Sequence, residues 1–164
     1  YILAQMLGGI AGGTLVFLFY REHFKASEDA GAKLACFCTA PAIRNVPQAF
    51  FCEVMGTFLL ILPIFLMTGA TVALPSAASA SEAPIGLGTL GLLPVALLVF
   101  GIGLSLGGTT GYAINPARDL GPRIAHALIP VPGKRDSDWG YAWVPVAGPL
   151  AGALLAALAD AALH

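Results

Sequence analysis

Charge is what this chain has least of. Only 10% of its 164 residues are Asp, Glu, Lys or Arg, against 57% hydrophobic, and the mean hydropathy is +0.82. So little charge cannot solvate so much apolar surface in water, and composition places the chain in a membrane. A net charge of -1 gives no reason to expect a nucleic-acid partner. Cysteine is scarce and odd in number, at positions 36, 38 and 52. Cys36-x-Cys38 lacks the two-residue gap of a metal knuckle, and no second Cys/His pair complements it. These read as free thiols, two in a loop and one on a helix, with no metal site. The sequence also offers no nucleophile–base pairing, metal constellation or phosphate loop, which speaks against an enzyme and implies no cofactor.

Long apolar runs are what the chain has in quantity. Four can cross a bilayer core, which takes roughly 20 helical residues: Ile2–Tyr20, Phe50–Leu74, Leu87–Gly108 and Tyr141–Leu163. None has the basic start or small-residue cleavage pattern of a signal peptide. The first carries Gly8, Gly9, Gly12 and Gly13, two overlapping small-xxx-small pairs that let helices approach closely in lipid. Arg21-Glu22-His23 ends it in water, and residues 24–48 form a polar connector with Pro41 and Pro47 as breakers. The second holds a single charge, Glu53, near its start; an intramembrane acid is a functional or network residue unless it snorkels to the interface. Pro75–Pro84 reads as a small, flexible connector whose one charge is Glu82. The fourth carries Gly148-x-x-x-Gly152, with Pro145 and Pro149 as kink-prone positions and Tyr141 and Trp143 at its interfacial start.

The chain is organised around Gly-Tyr-Ala-Ile-Asn-Pro-Ala-Arg-Asp-Leu-Gly-Pro-Arg, residues 111–123. This stretch ends an uncharged run, Ala83–Ala117, too long for one span and too short for two. Asn115 suits an N-cap, Pro116 the first helical position, and Asp119 the positive end of a helix dipole. The pattern predicts a second helix, about Pro116–Leu128, that begins inside the membrane. Backbone broken at that depth must be buried in protein or line a polar cavity, which means a pore or a binding site. Glycines 101, 103, 107, 108 and 111 give the preceding span a thin face, suited to helix packing and to close approach of a solute. His126, on the short helix, reads as a packing or loop contact. At an offset of 140, Gly8, Ala11, Gly12, Leu15 and Leu18 fall on Gly148, Ala151, Gly152, Leu155 and Leu158. Transporters and channels are often built from inverted repeats, so segments one and four are expected to close two repeats. The first repeat's beginning is expected to lie in a longer protein.

At Asn115-Pro116-Ala117-Arg118-Asp119 the pattern resembles the aquaporin superfamily, and within it the glycerol-facilitator branch. The likeness covers nearly the whole chain: its four spans resemble the family's third to sixth helices, and Asn45, Gln48-Ala49-Phe50 and Glu53 also fit. Asp119 after the arginine, Arg123 four further on, and Pro145-Val146 resemble the glycerol branch rather than water-only channels. The resemblance implies an all-α membrane protein, an aquaporin-like right-handed helical bundle with a re-entrant half-helix, here incomplete at four spans plus one half-helix. It implies three parts: 1–24, a transmembrane helix closing the first repeat; 25–48, an outer connecting loop; and 49–164, the second repeat.

By the same resemblance the chain is a passive channel for glycerol and related small uncharged solutes, with water. The alternatives are a water-selective aquaporin, an ion-coupled secondary transporter using Glu53 or Asp119, and a non-conducting fragment. Its pore residues are expected to be Asn115, Arg118, Tyr112, Gly103, Ala117 and Pro116, with Glu53 and Asp119 as structural support. A polyol that sheds its water needs replacement partners. Asn115 offers a side-chain amide, Arg118 fixed donors and a permanent charge, and Tyr112 a ring for the carbon face. The half-helix N-terminus disfavours cations, protons included. Expected partners are the lipid bilayer, glycerol and water, a missing N-terminal half with a first Asn-Pro-Ala-type motif, and three further copies in a homotetramer. The expected place is a bacterial inner membrane, multi-pass. In the family's orientation all eight lysines and arginines fall on the outer side or in the outer pore. This opposes the positive-inside bias, so earlier helices are expected to set the topology.

Overall fold

A computed structural model describes residues 1–74 and 81–164. Helices dominate it: α1 (Ile2–Phe19), α2 (Arg21–Ala26), α3 (Ala30–Ala35), α4 (Val46–Leu66), α5 (Leu93–Thr110), α6 (Pro116–Leu128) and α7 (Val144–Leu163). A 3-10 turn, Gly88–Leu92, leads into α5. Among the described residues, four helical stretches are long and apolar enough to span a membrane: Ile2–Phe19, Val46–Leu66, Gly88–Thr110 and Val144–Leu163. Helix α6 has 13 residues, a rise of about 20 Å, which falls short of a bilayer core of roughly 30 Å.

The second span is shorter than its hydropathy predicts. Helix α4 stops at Leu66 rather than Leu74, because its 21 residues already rise about 30 Å. Met67 turns to extended backbone. Thr71–Leu74 (β1) then pairs antiparallel with Ser81–Pro84 (β2), Thr71 opposite Pro84. The connector Pro75–Pro84, expected to be flexible, thus follows one strand and ends in the other, while Pro75–Ala80 lie outside the described residues. Pro47 is likewise no breaker: it sits in the first turn of α4, behind the Asn45 N-cap, whose side-chain oxygen accepts from Gln48 N at 3.1 Å.

Glycine sets two close helix contacts. On α7, a Cβ added at Gly148 would lie 2.6 Å from Glu53 Cβ, and one at Gly152 would lie 2.3 Å from the Val54 carbonyl oxygen. Helix α4 therefore seats directly on the α7 backbone. On the other side, α1 meets α6 through Gly9 and Gly121, where a Cβ at Gly121 would lie 3.0 Å from Gly9 Cα. Of the four α1 glycines, Gly9 and Gly13 face α6, whereas Gly8 and Gly12 have nothing within 4 Å.

The polar-looking connector is folded. Asp29 caps α3 by accepting from Gly31 N and Ala32 N at 2.8 and 2.9 Å. Phe24, Leu34, Phe37 and Cys38 then pack with Phe17, Ala125 and Val131 into a core that ties α1, the connector and α6 together. Burial pushes the Cys38 thiol up to about 12. Elsewhere α1 and α5 turn apolar side chains outward, among them Leu3, Leu7, Leu97, Phe100 and Leu104. Such faces suit lipid or a further helix rather than water.

Candidate functional site

The site is built where α5 breaks and α6 begins. Gly111 closes α5 in left-handed backbone at φ 78, its N–H reaching the Gly107 carbonyl at 2.9 Å. Tyr112 and Ile114 follow at φ 39 and 42, a region that non-glycine residues, β-branched ones above all, rarely enter. Glu53 holds this strained link. Its carboxylate, 1% exposed, accepts from Ala113 N at 3.0 Å and from Ile114 N at 2.8 Å. Two charge-assisted bonds keep the acid satisfied inside the bundle.

Asn115 then caps α6, its side-chain oxygen accepting from Ala117 N at 2.9 Å. Pro116 takes the first helical position. The Asn115 amide nitrogen has no partner among the described residues and remains available to donate. Asn115, Pro116 and Ala117 open onto a cavity of ≈ 320 Å³ between α1 and α7, shared with Gln5, Met6 and Val146. One turn into α6, the exposed Arg118 holds its guanidinium over the Tyr112 ring, 5.7 Å from the centroid. It makes no ion pair or hydrogen bond among the described residues, so its donors are free. Tyr112 in turn lies on the glycine face of α5: a Cβ at Gly103 would meet its ring at 3.2 Å, and one at Gly107 at 2.9 Å. Gly103 acts by making room. The structure thus gathers Gly103, Tyr112 and Arg118 in one place, with Asn115, Pro116 and Ala117 at the adjoining helix start.

Behind this face lies a buried polar network larger than the sequence suggests. Asp119 accepts from Thr39 N and Thr39 Oγ1, at 2.7 and 2.6 Å, and from Arg123 Nε at 2.8 Å. Arg123, wholly buried, also donates to the Thr39, Ser137 and Asp138 carbonyls. A single ion pair on α6 therefore staples two distant loops to the half-helix. The signal present in the sequence was the i, i+4 Asp–Arg spacing; Thr39, 80 positions away, carried none. Arg44 adds a second clasp through a paired bond to Asp138, which holds that carboxyl below the usual aspartate range. Lys134 closes the far end of α6, donating to the His126, Ala127 and Ile129 carbonyls. His126 is buried, with Nδ1 2.8 Å from Ser137 Oγ and its ring edge-on to Phe37. Among the described residues, no three His, Cys, Asp or Glu side chains gather into a metal site.

Comparison with known proteins gives consistent matches. The family model described as Major intrinsic protein matches residues 1–160. The glycerol uptake facilitator protein of Streptococcus pneumoniae is 49% identical over 158 residues, covering 96% of this chain and 62% of the relative. The D/L-lactic acid transporter of Lactiplantibacillus plantarum is 44% identical over 161 residues, covering 96% and 61%. The X-ray structure of the aquaglyceroporin from Plasmodium falciparum superposes with a TM-score of 0.71 at 27% identity, over 98% of this chain and 62% of that one. The chain thus spans about three-fifths of the length of the relatives it matches.

Proposed function

The chain belongs to the major intrinsic protein family, an integral, multi-pass membrane family of transport proteins rather than enzymes, and from that premise we propose that it forms half or more of a passive channel for glycerol and similar small uncharged solutes, with water. The observation that carries this reading is the free Arg118 guanidinium above the Tyr112 ring, beside the uncommitted Asn115 amide. A polyol passing there meets an apolar ring face for its carbons and fixed donors for its hydroxyls, which replace lost water. The glycines at 103 and 107 recess the ring into α5 and leave width for a carbon chain. The N-terminal end of α6 places about half a positive charge at the Asn115 amide, which opposes cations and protons. Asp119 and Glu53 act as supports, holding the half-helix and its strained approach.

Residues 1–24 serve in this reading as the closing helix of a first repeat, 25–48 as the outer connector, and 49–164 as the second repeat. Pseudo-symmetry supports the division. Gly148 and Gly152 press on Glu53 and Val54, while their counterparts Gly8 and Gly12 face open space. A first-repeat helix equivalent to α4 would fill that space, and its own half-helix would enter the cavity beside Asn115. Assembly as a homotetramer in a bacterial inner membrane completes the proposal, in keeping with the bacterial relatives.

A second reading, passage of a small hydroxy acid, is favoured by the lack of any carboxylate partner on Arg118, together with the relative named as a lactic acid transporter. Flux through proteoliposomes of the protein extended by a first repeat, with and without Arg118→Leu, separates the cases. Losing one charge-assisted bond costs about 1.5–3 kcal/mol, so glycerol flux is expected to fall at least about tenfold and proton leak to rise. If glycerol flux is unchanged and only lactate flux falls, the second reading replaces the first.

A further inference from the structure

At the end of α1 the chain leaves a groove of ≈ 360 Å³ that the pore chemistry does not use. Val16, Tyr20, His23, Phe24, Lys33 and Cys36 line it, and the lining is mostly apolar. It lies where the apolar α1 gives way to Arg21-Glu22-His23. That boundary, with Tyr20 on it, is where a span meets the headgroup layer.

Lys33 decides what the groove takes. Its side chain is buried, at 4% exposure, and its ammonium donates to one acceptor, the Pro132 carbonyl. An ammonium carries three donors, and no carboxylate among the described residues pairs with this one. The other buried charges are answered: Asp119 by Arg123, and Glu53 by two backbone amides. A buried, uncompensated cation is costly and draws an anion. Arg21, exposed at the same end of α1, is also without an ion pair among the described residues, whereas Lys25 is taken by Glu22. We propose that this groove binds an anionic phospholipid, its acyl chain against Val16, Tyr20 and Phe24 and its phosphate within reach of Lys33. Free phosphate would leave the apolar lining unused. A neighbouring apolar helix would leave Lys33 unanswered.

Cys36 reports on the groove, because it both lines it and is exposed. The protein carrying Cys52→Ser is reconstituted in phosphatidylcholine vesicles with and without phosphatidylglycerol, and Cys36 labelling by an uncharged maleimide is timed; Cys38 is buried. Phosphatidylglycerol is expected to slow labelling about tenfold, as for a site with lipid at ten times its Kd, and Lys33→Gln is expected to abolish that difference. Val16→Trp, which fills the groove without touching the charge, is expected to protect Cys36 in phosphatidylcholine alone. Equal labelling in both lipids, protection by inorganic phosphate alone, or protection that survives Lys33→Gln would each overturn the proposal.

Discussion

Ile114 is the residue with the least freedom at the site. A β-branched side chain at φ 42 costs on the order of 1–3 kcal/mol, and the surroundings must impose it. Glu53 does so by accepting from the consecutive amides of Ala113 and Ile114. Glu53→Gln leaves one of those amides facing an NH2 group, an unmet buried donor worth about 1–3 kcal/mol. The thermal midpoint of the detergent-solubilised protein is expected to fall accordingly, and an unchanged midpoint would remove Glu53 from this role. At this scale the sequence was legible where neighbours in the chain do the work. Asn115-Pro116 announces a helix start, and Arg118 one turn later announces a charge inside the membrane. It was silent on Thr39 and on the burial of Lys33, because both are decided by contacts with residues far along the chain.

Among elements, the glycines carry the clearest argument. Small residues at i and i+4 signal close helix approach, but not which helix approaches. The structure assigns Gly148 and Gly152 to α4, Gly9 and Gly13 to α6, and leaves Gly8 and Gly12 open. Gly152→Ala places a Cβ against the Val54 carbonyl, and overpacking of this kind costs about 1–3 kcal/mol. Its thermal midpoint is expected to drop, while Gly12→Ala in this chain is expected to leave it unchanged. With the first repeat attached, Gly12→Ala is expected to become as damaging as Gly152→Ala; equal, harmless behaviour of both in the longer protein would contradict the packing pseudo-symmetry. Span ends were the least legible feature. Hydropathy continues past Leu66, but a helix of α4's length has already crossed the bilayer, and Thr71–Leu74 finds a strand partner that hydropathy does not register.

For the whole molecule, one charged network integrates the parts. The Asp119–Arg123 pair binds the half-helix to the connector through Thr39 and to the loop before α7 through Ser137 and Asp138. The face that carries Tyr112, Asn115 and Arg118 is therefore tied from behind to both loops, while α1 and α5 show wide apolar surfaces. In the proposed reading, those surfaces and the open Gly8 and Gly12 are where a first repeat would pack. The most direct test is stopped-flow swelling of proteoliposomes in glycerol and in a non-permeant sugar, comparing this chain alone with the chain extended at its N-terminus by a first repeat. The extended protein is expected to pass glycerol without an ion gradient and to lose that flux with Asn115→Ala and Arg118→Leu, while this chain alone does not conduct. Flux that needs an ion gradient, or that survives both substitutions, would contradict the channel reading.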